Sequence, residues 1–241
     1  MHLLGQLMNS EYTNPSELLG LDADVNQELL GYLNSLDAVS KVKAINKLTK
    51  RHIPSHGSRA EFEKFFPELP ANIKQDLLQG KLRLADHTVY SLVPIQGAKT
   101  IKVFQSQDIK EDGLKNIQGG RLPKGMVLLV SGIYMLQGVA GSTSNEEIKK
   151  TSFDTISAVP AIANGSFKLK SNKKQLVSET SNRKFINDGY TLLPKGYFKL
   201  NNPRLIQDDV DIEFEVDLGT VSGVDANAVL YVGLDGTATI P

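Results

Sequence analysis

The chain has 241 residues, with 27 basic side chains against 27 acidic ones and neither cysteine nor tryptophan. That length accommodates one large β domain with an appended helical segment, or two modest domains, and leaves enough chain for a substantial core. Zero net charge excludes nucleic-acid binding driven by long-range attraction to the whole molecule, and the missing cysteines exclude disulfides, thiol nucleophiles and thiolate metal sites.

The chain opens on Leu3, Leu4, Leu7 and Met8 without a basic leader, and Asn9, Ser10 and Glu11 follow at once. No signal peptide is expected, and the segment reads as one that docks on its own protein, with a short amphipathic anchor on a partner or lipid surface as the alternative. Asn14, Pro15 and Ser16 open a short helix through Leu19, and Asp24 caps a second that ends near Gly31. From the cap Asp37, residues 38–51 place Val42, Ile45 and Leu48 on one helical face and Lys43, Lys47 and Lys50 on another. Pro54 and Gly57 break that pattern, a helix is predicted over 59–66, and a further one over 71–78 stops at Gly80.

Near residue 85 the hydrophobic period changes from helical to alternating. Strands are predicted over 88–93, 100–104, 126–136, 166–170, 175–178, 197–200, 211–218 and 228–232. Gly119-Gly120, Gly125, Asn187-Asp188-Gly189, Asn201-Asn202-Pro203 and Asp235-Gly236 are read as turns between them. The stretch 140–162 is the longest excursion, with room for one short helix. No helical pattern alternates regularly with the strands, so the fold class is α+β: a helical arm or subdomain over 1–84, then an antiparallel β-sandwich over 85–241. About eight strands suit a single jelly roll. The longest apolar run, 126–136, falls well short of the roughly 20 residues of a membrane-spanning helix.

No chemical motif is complete. His52 and His56 have helical metal-ligand spacing, but Pro54 lies between them. Asp22, Asp24 and Asn26 start like a calcium loop, yet Gln27 and Leu33 stand where glycine and glutamate belong. Residues 120–125 lack the Lys-Ser/Thr ending of a phosphate-binding loop, and no G-x-S-x-G elbow is present. No catalytic residue, metal or cofactor is assigned.

The strongest pattern is electrostatic. Asp211, Glu213, Glu215 and Asp217 alternate with apolar residues and project from one strand face, roughly 7 Å apart. Lys168, Lys170, Lys173 and Lys174 form a basic counterpart, which suits either neighbouring strands or copies meeting side by side, and this set is the candidate interface. Lys43, Lys47, Lys50 and Arg51 form a second basic cluster, a candidate surface for weak contact with a genome or an acidic membrane.

The helical front, the eight-strand body, the neutral cysteine-free composition, and the run from Leu193 to Ile206 followed by Asp211 to Leu218 together resemble jelly-roll coat or capsid-associated proteins of bacteriophages. The resemblance covers roughly 85–241. It implies a non-enzymatic, homo-oligomeric virion protein, assembled in the host cytoplasm with other virion proteins, whose arm reaches neighbours and whose body tiles through strand edges and loops. The competing expectations are a β-sandwich binding module for attachment or carbohydrate recognition, with aromatics such as Tyr134, Tyr190, Tyr197 or Tyr231 exposed, and a hydrolase using the 211–217 carboxylates.

Overall fold

The computed structural model describes residue 62, residues 64–187 and residues 193–241. These residues fall in one compact unit, 61–241. They build two antiparallel sheets of nine strands in all, with three short α-helices. The strands are β1 (Arg83–Pro94), β2 (Thr100–Lys102), β3 (Leu128–Val139), β4 (Asp154–Thr155), β5 (Ser166–Ser171), β6 (Lys174–Ser181), β7 (Tyr197–Ile206), β8 (Ile212–Asp217) and β9 (Ala228–Ile240). The helices are α1 (Ala71–Leu78), α2 (Asn145–Lys149) and α3 (Pro160–Ala163). The five-stranded sheet runs β1-β9-β3, with both β7 and β4 on the far side of β3; the four-stranded sheet runs β2-β8-β5-β6.

Alternation explains the four-stranded sheet. In β8, Ile212, Phe214 and Val216 are buried while Glu213, Glu215 and Asp217 face outward, and in β5 Phe167 and Leu169 are buried between Lys168 and Lys170. Phe167 pairs with Val216 and Leu169 with Phe214, so each strand presents its apolar set to the same side. That side meets the five-stranded sheet in one core, joined by rings from both: Phe214 stacks on Phe167 at 5.6 Å, and Phe167 and Phe185 both contact Phe198 of β7. The arrangement is β-sandwich-like.

The outer face of the five-stranded sheet is covered at its two ends. The residues before β1 close one end of its outer face: Phe62, Leu69 and Ile73 of α1 pack on Val127 and Leu129, with Leu84 and Leu205 beside them. Gly80, at φ 70°, lets the chain leave α1 and turn into β1. At the other end, Leu114 and Ile148 of α2 pack on Leu92 and Val229. The segment around 111–116 also closes the free edge of β1: Leu92 N–H donates to the Leu114 carbonyl at 2.8 Å, and Asn116 exchanges hydrogen bonds with Tyr90 and Thr88. A covered edge is unavailable for further strand pairing.

Two turns expected from the sequence lie inside strands. Asp235-Gly236 is in the middle of β9, because Gly236 sits where β3 bulges at Ser131 and a Cβ there would lie 1.8 Å from the Leu129 carbonyl oxygen. Asn201-Asn202-Pro203 is carried within β7, opposite the same break in register. The 140–162 excursion holds α2 and the start of α3, with the two-residue β4 between them. The basic cluster Lys43, Lys47, Lys50 and Arg51 lies outside the described residues, as does Tyr190.

Candidate functional site

The charged strands form a ladder within one sheet. Opposite pairing places Lys168 against Glu215 and Lys170 against Glu213. Lys168 Nζ lies 2.7 Å from Glu215 and 3.9 Å from Asp217, and Lys170 Nζ 3.9 Å from Glu213. Asp211 receives the Arg121 Nε–H at 2.7 Å, and Asp217 accepts the Thr100 hydroxyl at 2.6 Å. Every carboxylate of the β8 row therefore has a cation in the same chain. Hydrogen bonding to Glu215 and its charge raise the Lys168 ammonium above the ordinary lysine range, as expected of an ion pair. Lys173 stands at the tip of the β5–β6 hairpin beside Asn172, both at positive φ, and Lys174 begins β6; neither makes an ion pair among the described residues. The complementarity visible in the sequence is thus met between neighbouring strands. An open polar hollow of about 530 Å³ lies at the end of this sheet, and of the four carboxylates of 211–217 only Asp217 borders it.

A second cluster lies on the outer face of the five-stranded sheet, between the ends covered by α1 and α2. Cross-strand registers set its rows: Thr88, Asp235, Gly132 and Lys199 run across β1, β9, β3 and β7, and the next row is Tyr90, Gly233, Tyr134 and Tyr197. Tyr231 follows on β9, between Leu92 and Leu136. The bulge at Ser131 makes this convergence possible. Before it, Leu128 and Val130 face the core; after it, Ile133 and Met135 do, and Tyr134 is turned outward.

Glycine allows the rings to lie close to the sheet. A Cβ on Gly132 would meet the Tyr197 hydroxyl at 2.0 Å, so the Tyr197 ring occupies the space a side chain would fill. At Gly233 a Cβ would come 3.3 Å from the Tyr231 hydroxyl and 3.1 Å from Thr88. Tyr134 and Tyr197 meet at 4.7 Å between ring centres, Tyr90 and Tyr231 at 6.0 Å, and Phe153 supports Tyr231 at 5.9 Å. All four tyrosines are half-buried.

Asp235 organises the polar part. One carboxylate oxygen accepts from the Thr88 hydroxyl at 2.7 Å and the other from the Tyr197 hydroxyl at 3.3 Å. Among the described residues no cation pairs with it, in contrast to the β8 row. Burial, then the Asp235 charge, pushes the Tyr197 phenol up to about 12, and the same two causes raise Tyr134. Burial also raises Tyr231, helped by the neighbouring phenols and Asp235. The phenols of Tyr134, Tyr197 and Tyr231 are therefore protonated at neutral pH, and the hydroxyls of Tyr90, Tyr134 and Tyr231 have no hydrogen-bond partner among the described residues.

The sequence had singled out Tyr134, Tyr197 and Tyr231 as candidate exposed aromatics, and the sheet brings all three together. It gave no sign of Thr88, Gly132 or Asp235, whose roles depend on strand register. Among the described residues no group of three or more histidine, aspartate or glutamate side chains could hold a metal, and no helix is long and apolar enough to cross a membrane. No protein-family model matches the chain, and no curated protein matches it.

Proposed function

We propose that the sandwich is a single jelly roll and that the protein is a structural virion subunit, a capsid or capsid-associated protein that assembles with copies of itself. One observation carries this reading: the order in which strands pair. With the two-residue β4 set aside, the first strand pairs with the last (β1 with β9), the second with the seventh (β2 with β8), the third with the sixth (β3 with β7) and the fourth with the fifth (β5 with β6). Such nesting is what results when one antiparallel ribbon is folded over itself. Alternate pairs then fall in alternate sheets, and β9·β3 and β8·β5 contacts knit the pairs together. Jelly rolls of this kind serve as shell subunits and as lectins.

The edges fit a tiling role. β1 is closed by 111–116, whereas β6 leaves an eight-residue strand at the edge of the four-stranded sheet. Val139 at the end of β3 and Val221 in the β8–β9 connection are exposed apolar residues. Electron microscopy of the concentrated full chain tests the proposal: regular shells, rings or sheets are expected, and isolated single particles throughout a wide range of concentration and salt contradict it.

The tyrosine patch favours a second reading, a β-sandwich binding module, which predicts saturable ligand binding by unassembled protein.

A further inference from the structure

We propose that the patch formed by Tyr90, Tyr134, Tyr197, Tyr231, Thr88 and Asp235 is a saccharide subsite, taking an uncharged pyranose sugar, free or at the end of a glycan. This inference names the ligand of the binding reading just given and does not depend on the shell reading.

A pyranose offers an apolar C–H face and a rim of hydroxyls that both donate and accept. Tyr197 fills the space above Gly132 and Tyr231 leans over Gly233, so ring surface is spread along the sheet instead of being sunk in the core. Aromatic surface of this kind binds at low conformational cost, because each ring has only two rotatable side-chain bonds and neighbours hold it. The rim is supplied by three phenol hydroxyls without partners among the described residues and by Asp235, whose two oxygens each receive one hydrogen bond from the described residues and so keep acceptor capacity. The bond from Thr88 and the one from Tyr197 fix that carboxylate before any ligand arrives.

Other occupants fit less well. An apolar peptide would leave three phenols and the remaining acceptor capacity of the carboxylate unmet under it, which is costly in a desolvated contact. An anionic sugar would meet Asp235 at the centre of the patch. A cation is the serious rival, since ring faces and a carboxylate both attract one. The phenol hydroxyls of Tyr90, Tyr134 and Tyr231, without partners among the described residues, decide against it: a quaternary ammonium can neither donate to them nor accept from them, whereas sugar hydroxyls do both.

The chain has seven tyrosines and no tryptophan, so its intrinsic fluorescence reports tyrosine directly. The test titrates the full-length protein, dissociated if it assembles, with methyl glycosides of glucose, galactose, mannose and N-acetylglucosamine, with methyl glucuronide, and with tetramethylammonium, while saturation-transfer NMR reads the ligand. Saturable binding of at least one uncharged glycoside is expected, weaker for the glucuronide. Tyr134→Ala and Asp235→Asn should each weaken it about tenfold or more, the scale of loss on truncating a central contact, while Lys173→Ala leaves it unchanged. If Tyr134→Ala loses its β-sheet dichroism, Tyr134→Phe, which removes only the hydroxyl, takes its place. No saturable response to any glycoside overturns the proposal; so does binding indifferent to both patch variants, and so does binding of tetramethylammonium alone. Because the readout is ligand binding and not particle size, a failure here leaves the assembly result standing, and the reverse also holds.

Discussion

The outer faces of the two sheets solve the same problem in different ways. Each must place opposing side chains on neighbouring strands. On the four-stranded sheet they are charges, and Lys168, Lys170 and Arg121 answer the carboxylates of 211–217 from within the chain. On the five-stranded sheet they are rings over glycines, and the carboxylate at their centre, Asp235, is held by two hydroxyls and has no cation among the described residues. The first face is internally balanced, whereas the second keeps unspent hydrogen-bonding capacity. A conspicuous charge pattern can therefore be the quieter surface, and a scatter of tyrosines the more available one.

The largest expected effect removes what both faces rest on. Phe214 is fully buried and stacked on Phe167, so Phe214→Ala should lower stability by about 3–5 kcal/mol in denaturant unfolding, with both sheets lost in one transition. Separate transitions for the two sheets would show that they do not share a core. Next comes Gly132→Ala. Its methyl group would collide with the Tyr197 ring, so either the ring swings away or the strands part, at about 1–3 kcal/mol, and the Tyr197 phenol should then titrate closer to 10. An unchanged titration would mean that the ring does not lie over this glycine.

Smaller still is the effect of reversing the ladder. Changing Lys168 and Lys170 to Glu should lower the unfolding midpoint slightly, since these pairs are partly exposed, and changing Glu213 and Glu215 to Lys in the same protein should restore it. Restoration of particle assembly instead, with folding stability unmoved throughout, would shift the role of these charges from the sheet to an interface between copies.

At neutral pH the last effect leaves stability alone and shows only in ionisation. Because the Tyr197 phenol ionises at about 12 in the folded protein and near 10 when unfolded, the unfolded chain gives up its proton first. Stability should fall as pH rises through that window. Asp235→Asn should move the Tyr197 midpoint down, though not to 10, because burial is the larger cause and remains; phenolate absorbance during alkaline titration reads this. A midpoint unmoved by the change would remove Asp235 as an influence on the ring.

How much of this could be read in advance follows from burial. β8 and β5 have one face in the core and one in water, so their alternation declares both strand and face. β3 and β9 face the core on one side and are covered at both ends on the other, and their nearly unbroken burial hides which residues look outward. A single inserted residue, Ser131, then reverses the faces of everything after it in β3. Asp235-Gly236 shows the same limit: as a dipeptide it signals a turn, yet here the glycine makes room for a neighbouring carbonyl and the aspartate anchors the patch. The ladder was legible as chemistry, with Lys168 and Lys170 as its basic side, but whether neighbouring strands or neighbouring copies joined the two was not. The tyrosines at 90, 134, 197 and 231 are spread over four strands, and only the register joins them.

The claim that most needs testing is self-assembly. Light scattering on the purified full chain, over a broad range of concentration and ionic strength, measures it directly. A mass rising with concentration to large multiples of 26.4 kDa, and changing with salt, is the result expected of a jelly-roll shell subunit; a constant mass of one chain across the whole range would contradict it.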